Sequence, residues 1–123
     1  MNKEFIPYEQ ALELKELGFY EGCIAHYEKI NGKIKLEVYS YDLDDAICAA
    51  PLYQQAFRWF RDKYGYSGIP NPFGYELLDR DDINYEWACL YEEVCNNYEE
   101  AELACLKKLI EIAKQIKWAG NQQ

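Results

Sequence analysis

The segment from Tyr98 to Trp118 reads YEEAELACLKKLIEIAKQIKW and has no glycine or proline, so it predicts one long helix. On a helical wheel of about 100° per residue, its apolar side chains fill an arc of roughly 200°. A helix that lies on one surface needs about half of that arc. We therefore expect this helix to be packed against other surfaces on two sides. One of these surfaces is the sheet of the same chain, and the other is a second surface. The apolar side chains are Ala101, Leu103, Cys105, Leu106, Leu109, Ile110, Ile112, Ala113 and Ile116.

Acidic residues outnumber basic ones by 22 to 13, which gives a formal net charge of −9. Proteins that bind nucleic acid or anionic membranes rely on lysine and arginine to do so. We therefore expect neither nucleic acid as a direct ligand nor a membrane as a partner. The charge is compatible with three interpretations, namely a solubilising surface, a surface for a basic protein partner, or a protein surface that mimics nucleic acid.

Half of the residues are apolar and 16% are aromatic, which predicts a folded core rather than a disordered chain. At 123 residues, that core fits a single α+β domain covering residues 1–123. The 12 tyrosines are unusual for this length, because each buries a ring and still needs a polar exit for its hydroxyl. They predict many half-buried positions at the edge of the core or in an interface.

The cysteines number five and form no C-x-x-C pair, and the chain has one histidine. A structural zinc site of the usual spacing therefore lacks ligands. The first residues lack the apolar stretch of a secretion signal, and no apolar run reaches the length of a membrane span. We expect reduced and mostly buried cysteines, no disulfide, and a cytoplasmic location.

Asn31-Gly32 predicts a two-residue turn of type I′, because both residues tolerate a positive φ. The turn lies between two alternating runs, 23–30 and 33–41, and so predicts a hairpin. Counting outward from the turn places charged pairs on one face and apolar pairs on the other. His26 is then expected on the polar face beside Glu37, in a structural role. The predicted pairs are Ile30 with Lys33, Glu28 with Lys35, His26 with Glu37, Tyr27 with Leu36 and Ala25 with Val38.

Helix signals occur three times along the chain. The first helix is predicted over 7–17, with Gly18 as its left-handed C-terminal cap. The second is predicted over 51–64 from its apolar face. The third begins with Asn97 as N-cap and Glu100 three residues later, which is the arrangement of a capping box.

Strand and loop signals fill the remaining segments. A second hairpin is predicted from the runs 75–80 and 83–91. Residues 42–50 are predicted to be a connector. Residues 66–74 are predicted to be irregular, because two prolines and two glycines interrupt them. The side chains expected to share one face of the second hairpin are Ile83, Tyr85, Trp87, Cys89 and Tyr91.

The predicted order is helix, hairpin, helix, hairpin, helix. This order favours an α+β fold with one four-stranded antiparallel sheet and the helices packed on one of its faces. The repeated helix–hairpin unit hints at an internal duplication, although the two halves share too few identical residues to establish one.

Two groups of aspartates resemble metal ligands in composition but not in spacing. An EF-hand loop requires glycine at its sixth position and glutamate at its twelfth. Neither group meets this requirement, since Ile47 and Tyr53 occupy those positions after Asp42. We interpret both groups as solvated turns. Their members are Asp42, Asp44 and Asp45 in the first, and Asp79, Asp81 and Asp82 in the second.

Catalytic patterns are also missing from the sequence. Neither GxGxxG nor GxxxxGK[ST] occurs, so no glycine-rich phosphate loop is predicted. A Cys–His pair would have to use His26, which the hairpin pairing already explains. We therefore expect no catalytic residue, no metal and no cofactor, and we expect that the chain is not an enzyme.

Arg58, Trp59 and Arg61 form the candidate binding site, on the second predicted helix. The two arginines are three residues apart on its polar arc, and arginine and tryptophan are favoured in binding hot spots. The alternative is that both arginines pair with nearby carboxylates, which an acidic chain supplies freely.

Three helical segments resemble a family of small uncharacterised proteins encoded by phages, prophages and mobile elements of gut Bacteroidetes. They are IPYEQALELKELGF at 6–19, APLYQQAFRWFRDKYG at 50–65 and YEEAELACLKKLIEIAK at 98–114. Both predicted hairpins lie outside the resemblance. The resemblance implies a phage-linked, intracellular accessory protein, and it brings no activity, cofactor or site residue with it.

Two functions fit these observations. The first is a non-catalytic protein that binds and modulates a host protein. The second is a ligand-binding module that sequesters a small anionic nucleotide, with aromatic rings on the base and Arg58 and Arg61 on the phosphate. We also expect a homodimer through the last helix or the uncovered sheet face, because a two-fold pair buries a wide apolar surface.

Overall fold

The computed structural model describes residues 2–38, 46–80 and 86–121. Within these ranges the chain divides into two compact units, Met1–Tyr53 and Gln54–Gln123. A 3-10 turn at Asn2–Glu4 comes first. The elements that follow are α1 (Tyr8–Glu16), β1 (Ala25–Ile30), β2 (Lys33–Val38), β3 (Ala46–Ala49), α2 (Tyr53–Tyr64), β4 (Tyr66–Asn71), β5 (Gly74–Arg80), β6 (Trp87–Val94) and α3 (Tyr98–Asn121).

The sheet of the first unit has the strand order β2-β1-β3, and both of its pairings are antiparallel. The hairpin of β1 and β2 is confirmed in every predicted pair. Asn31 and Gly32 have φ angles of 52° and 79°, the positive values that a type I′ turn requires. The turn residues therefore set the register, as expected.

β3 lies in the segment predicted to be a connector, so that prediction is wrong. The strand pairs with β1 and places Cys48 opposite Tyr27, and Ile47 is the extra residue of a bulge. The Ile47 carbonyl accepts a hydrogen bond of 2.8 Å from Nζ of Lys15 on α1. A strand of four small or apolar residues, AICA, shows no polar alternation, which is why the sequence pattern missed it.

α1 ends at Gly18 as predicted, in a Schellman motif. Gly18 has a φ of 99°, and its N–H donates to the Lys15 carbonyl. The N–H of Phe19 donates to the Leu14 carbonyl over 2.9 Å. Leu14 and Phe19 occupy the two positions at which this motif usually has an apolar contact, and both are buried.

The core of the first unit forms on the apolar face of the hairpin. Phe5, Ala25 and Ala50 are buried there, and the half-buried side chains of Tyr27, Leu36, Val38 and Leu52 pack against them. The Tyr27 hydroxyl donates a hydrogen bond of 2.7 Å to the Ile6 carbonyl. This tyrosine thus buries its ring and satisfies its hydroxyl on the backbone, as the composition predicted.

The sheet of the second unit has the order β4-β5-β6, again antiparallel. β4 covers most of the segment predicted to be irregular, so that prediction is wrong. Pro70 is compatible with β4 because β4 is an edge strand. The turn that follows has Asn71 at its first position and Pro72 at its second, which suits type I. Oδ1 of Asn71 accepts a hydrogen bond of 2.8 Å from the Phe73 N–H.

β6 contains a bulge at Leu90, where one extra residue interrupts the pairing with β5. Because side chains alternate along a strand, this extra residue places Cys89 on one face of the sheet and Tyr91 on the other. The prediction that Trp87, Cys89 and Tyr91 share a face is therefore wrong. The other two members of that prediction, Ile83 and Tyr85, lie outside the described residues.

α3 begins with the predicted cap. Oδ1 of Asn97 accepts a hydrogen bond of 2.9 Å from the Glu100 N–H. Oε2 of Glu100 accepts a hydrogen bond of 3.2 Å from the Asn96 N–H, one residue before the position expected for a capping box. From this start, α3 packs against β4 and β5.

Most of the apolar arc of α3 is buried within the single chain. Leu103 and Ile112 are half-buried, whereas Ile116 is exposed. The wide arc therefore needs no second chain to cover its centre. The fully buried members are Ala101, Cys105, Leu106, Leu109, Ile110 and Ala113.

The described residues form an α+β fold with three α-helices and two three-stranded sheets, and the helices pack against the strands. The prediction of one four-stranded sheet is wrong. The two sheets also differ in topology, because β3 returns to pair with β1 whereas β4, β5 and β6 follow one another in order. The single domain over 1–123 stays a prediction.

In the part of the chain that the structure describes, no helix is both long and apolar enough to cross a bilayer. Asp79 is exposed near the end of β5. The other aspartates predicted to form solvated turns lie outside the described residues, and they are Asp42, Asp44, Asp45, Asp81 and Asp82.

Candidate protein-interaction surface

β6 is exposed along its whole length, although it is rich in apolar side chains. Leu90 is 51% exposed and Val94 is 89% exposed. Phe73, in the turn between β4 and β5, is 80% exposed. Grouped apolar exposure of this kind marks interaction sites on proteins. We call β6, Phe73 and Glu76 of β5 together the β6 surface.

Carboxylates surround the apolar side chains of this surface. Glu92 of β6 lies directly opposite Glu76 of β5, and both are exposed. Like charges in that position repel each other. Among the described residues, no lysine or arginine forms an ion pair with either carboxylate. Two cations do lie on the aromatic rings of β6, since Nζ of Lys108 is 4.4 Å from the centre of the Tyr91 ring and Cζ of Arg80 is 6.0 Å from that of Trp87. The β6 surface therefore combines apolar groups with a facing pair of carboxylates that form no ion pair within the described residues.

Glu93 is held in place by a neighbouring tyrosine. The Tyr75 hydroxyl donates a hydrogen bond of 2.7 Å to Oε2 of Glu93. Burial, and next this hydrogen bond, raise the pKa of Tyr75, so the phenol stays protonated and keeps donating. The Glu93 carboxylate is thus fixed near the end of β6, on the sheet face opposite that of Glu76 and Glu92.

A shallow cleft of about 410 Å³ lies at that end of the β6 surface. Its lining includes the exposed apolar residues Phe73 and Val94 together with Glu76, Glu92 and Glu93. Such a mixture of walls suits a side chain with an apolar stem and a cationic head, such as lysine or arginine.

A second cleft, of about 360 Å³, lies within the first unit. Its walls come from α1, from the segment that follows α1, and from β1 and β3. They include Lys15, Tyr20, Cys23, His26 and Cys48. The described residues contain no group of three histidine, cysteine, aspartate or glutamate side chains placed to hold a metal ion.

His26 is 3% exposed, so the expectation that it lies on an open polar face is wrong. Its backbone pairing with Glu37 is confirmed. The carboxylate that its side chain meets, however, is that of Glu28, two residues along the same strand, with Nε2 and Oε2 3.1 Å apart. β3, which the sequence pattern missed, pairs with β1 at His26 and gives this position a second neighbouring strand.

The candidate binding residues on α2 are separated by its helical geometry. Arg58 and Arg61 are exposed, whereas Trp59 is buried, 8% exposed. The Trp59 ring packs edge-on against Phe60, and Nζ of Lys63 lies 4.9 Å from its centre. Trp59 therefore belongs to the core, and the role of the two arginines in binding stays a prediction.

The cysteines differ strongly in their surroundings, and no disulfide joins those of the described ranges. Cys89 is exposed, whereas Cys105 is fully buried in α3. Burial, followed by the nearby groups Cys95 and Glu102, raises the pKa of the Cys105 thiol from its ordinary value of 9.0 to about 12. Because the thiolate is the reactive form, Cys105 has little reactivity at neutral pH.

We expect all five thiols to react with a maleimide reagent in the unfolded protein, and Cys89 to react well before Cys105 in the folded protein. Mass spectrometry of partly labelled protein measures the order. The thiol of Cys105 has a pKa of about 12 in the folded protein and 9.0 as its ordinary value, so folding favours the protonated form. The free energy that this preference adds to stability is therefore fully present below pH 9 and is lost as the pH rises towards 12. Early labelling of Cys105 in folded protein would contradict its burial.

Comparison of the chain with protein-family models, with curated proteins and with solved structures gives no match. The candidate site therefore depends on the geometry of the chain itself.

Sequence reasoning missed the β6 surface as a site. The predicted strand covered 83–91, from its alternation, and therefore ended before Glu92, Glu93 and Val94, whereas the structure has β6 over Trp87–Val94. Two signals in it could have indicated an interface, namely the adjacent acids Glu92 and Glu93 and the apolar Val94 beyond them. The bulge at Leu90 leaves no signal in the sequence, because it depends on pairing with β5.

Proposed function

We propose that this chain is a non-catalytic, phage-linked accessory protein that binds and modulates a host protein through the β6 surface. The observation that carries the proposal is the exposure of all eight residues of β6, Trp87–Val94, in a strand with large apolar side chains. The bulge at Leu90 and the two glutamates limit pairing of this strand with a copy of itself, but they leave the apolar side chains of Trp87, Leu90 and Val94 uncovered. A protein partner accounts for this exposure.

Three further observations support the proposal. The acidic surface with a net charge of −9 suits a basic protein partner better than a nucleic acid. The resemblance of the three helical segments to proteins of phages and mobile elements of gut Bacteroidetes suggests a host cytoplasm as the setting. The β6 surface also lies outside those segments, where related proteins could differ in the partners that they bind.

The experiment is affinity capture from a lysate of a gut Bacteroidetes host, followed by mass spectrometry. The test variant is Leu90→Ser with Val94→Ser, which removes apolar side chains that are 51% and 89% exposed. The matched control is Tyr20→Ser with Ile24→Ser, which removes exposed apolar side chains from the first unit. We expect one host protein to bind the wild type and the control, and to bind the test variant about tenfold less. Equal capture by all three proteins would overturn the proposal.

The alternative is a module that sequesters a small anionic nucleotide. The observation that favours it is the cleft of the first unit, where Lys15 and His26 line the same walls as the aromatic rings of Phe19 and Tyr20. Arg58 and Arg61, which were predicted to bind the phosphate, are not among the residues that line it. Titration calorimetry with nucleoside monophosphates tests this alternative, and binding that Lys15→Gln weakens would support it.

A further inference from the structure

We infer that β6 binds its protein partner by strand addition, and that the added strand is an extended segment in which lysine or arginine alternates with apolar residues. The inference rests on the function proposed above and specifies the chemistry of the partner. It follows from three properties of the β6 surface, namely an open backbone edge, the facing carboxylates of Glu76 and Glu92, and exposed apolar side chains.

The backbone edge of β6 is open within the described part of the chain. β6 is the last strand of the order β4-β5-β6, so β5 is its one described neighbour. The opposite edge of such a strand presents N–H and C=O groups to which a further strand can bind. Strand addition uses these groups for affinity and uses alternate side chains for specificity.

The charges of the surface select a basic strand. Glu93, held by the hydrogen bond from Tyr75, lies on one face of the sheet, whereas Glu92 and Glu76 lie opposite each other on the other face. A lysine or arginine of an added strand would relieve the repulsion between these carboxylates. The other face of β6 carries Tyr91, which is 39% exposed, so the apolar residues that alternate with the basic ones find a contact there.

The bulge at Leu90 limits where the added strand can pair. A bulge disrupts the regular spacing of backbone groups and bends its strand. The part of β6 that follows it runs from Tyr91 to Val94 without a further shift of register. This part also carries Glu92 and Glu93, so the regular edge and the negative charge coincide there.

A second copy of this chain fits the edge less well than a basic segment. β6 contains two glutamates and no lysine or arginine. Antiparallel pairing of two β6 edges would bring these glutamates of both chains together, and each chain has a net charge of −9. The bulge and the charges are features that protect edge strands against self-association. The homodimer therefore stays a separate prediction, and the strand that β6 favours is basic.

The probe is a short, fluorescently labelled peptide of alternating lysine and valine, and its binding is measured by fluorescence anisotropy. We expect binding that weakens as salt is added, because exposed charges contribute to it. The test variant is Glu76→Lys with Glu92→Lys, which is expected to bind about tenfold more weakly. The control is Glu4→Lys with Glu9→Lys, which changes the net charge equally at exposed positions of the first unit. Equal weakening by both variants would overturn the inference, because it would show a net-charge effect alone.

A second set of peptides tests the backbone contact. One version is N-methylated at the lysines and the other at the valines, so that each loses the N–H groups along one edge. Strand addition predicts that at least one version binds about tenfold more weakly than the unmethylated peptide. Equal binding by all three peptides would overturn strand addition.

The outcomes separate this inference from the proposed function. If host-protein capture depends on Leu90 and Val94 but the Lys–Val peptide does not bind, the inference fails and the proposed function stands. If capture is independent of β6, the proposed function fails. Light scattering completes the test, since a dimer that the Leu90→Ser and Val94→Ser variant disrupts would identify a second copy as the occupant and overturn the basic partner.

Discussion

Gly74→Ala is expected to lower the free energy of unfolding of the second unit by about 3 kcal/mol. Gly74 begins β5 and has a φ of 154°, a value that residues with a side chain rarely adopt. A Cβ atom added there would collide with the backbone carbonyl of Glu93 and lie 3.0 Å from Cα of Val94. Backbone atoms of a paired strand cannot move aside as a flexible side chain can. The end of β6 would therefore have to separate from β5.

Urea denaturation followed by tryptophan fluorescence measures this loss. Gly22→Ala is the matched control, because a Cβ at Gly22 meets nothing within 4 Å and its φ lies outside the strained region. The control is expected to change the free energy of unfolding by less than about 0.5 kcal/mol. Gly74→Ala is also expected to weaken binding at the β6 surface, since Glu93 and Val94 belong to it. Wild-type stability in Gly74→Ala would show that β5 and β6 are not paired at this position.

The local turn chemistry made some of the fold predictable. Asn31-Gly32 fixes the register of β1 and β2 through the φ angles of two residues, so counting along the chain is sufficient. The caps at Gly18 and Asn97 were predictable for the same reason, because groups within one turn of a helix end determine where the helix ends. In all of these cases the decisive interaction is local in sequence.

The strands that were missed depend on neighbours distant in the chain. β3 is a strand because β1 offers an edge to a short segment of small and apolar residues. β4 tolerates Pro70 because that edge of the sheet has no further described strand, and a proline needs no donor there. Composition and periodicity carry no information about which edge is free, so the number of strands and sheets could not be derived.

The candidate site was unpredictable for a related reason. Trp59 follows Arg58 in sequence, but consecutive residues lie about 100° apart around a helix. The Trp59 side chain therefore lies in the core, whereas the Arg58 side chain lies on the solvent-exposed face. The exposure of β6 likewise depends on its position at the end of the strand order, whereas its alternation suggested a half-buried strand. Sequence patterns identify amphipathic elements, but the packing of the whole unit determines which of their faces stays open.

Gly68→Ala tests the packing of α3 on β4, and it is expected to cost about 2 kcal/mol. A Cβ atom on Gly68 would lie 2.6 Å from Sγ of Cys105 and 3.1 Å from Cδ1 of Leu109. Both side chains belong to the buried face of α3. Gly68 has an ordinary φ, so the expected cost comes from crowding between helix and sheet and not from backbone strain.

A double-mutant cycle with Cys105→Ala separates crowding from other effects. Cys105→Ala alone removes a buried sulfur and is expected to cost about 1 kcal/mol. In the double variant the space left by the sulfur can receive the added methyl group, so the total cost should be smaller than the sum of the two single costs by about 1 kcal/mol or more. Urea denaturation of the four proteins gives the coupling. Strictly additive costs would mean that Gly68 and Cys105 do not touch, and that α3 packs on β4 in another register.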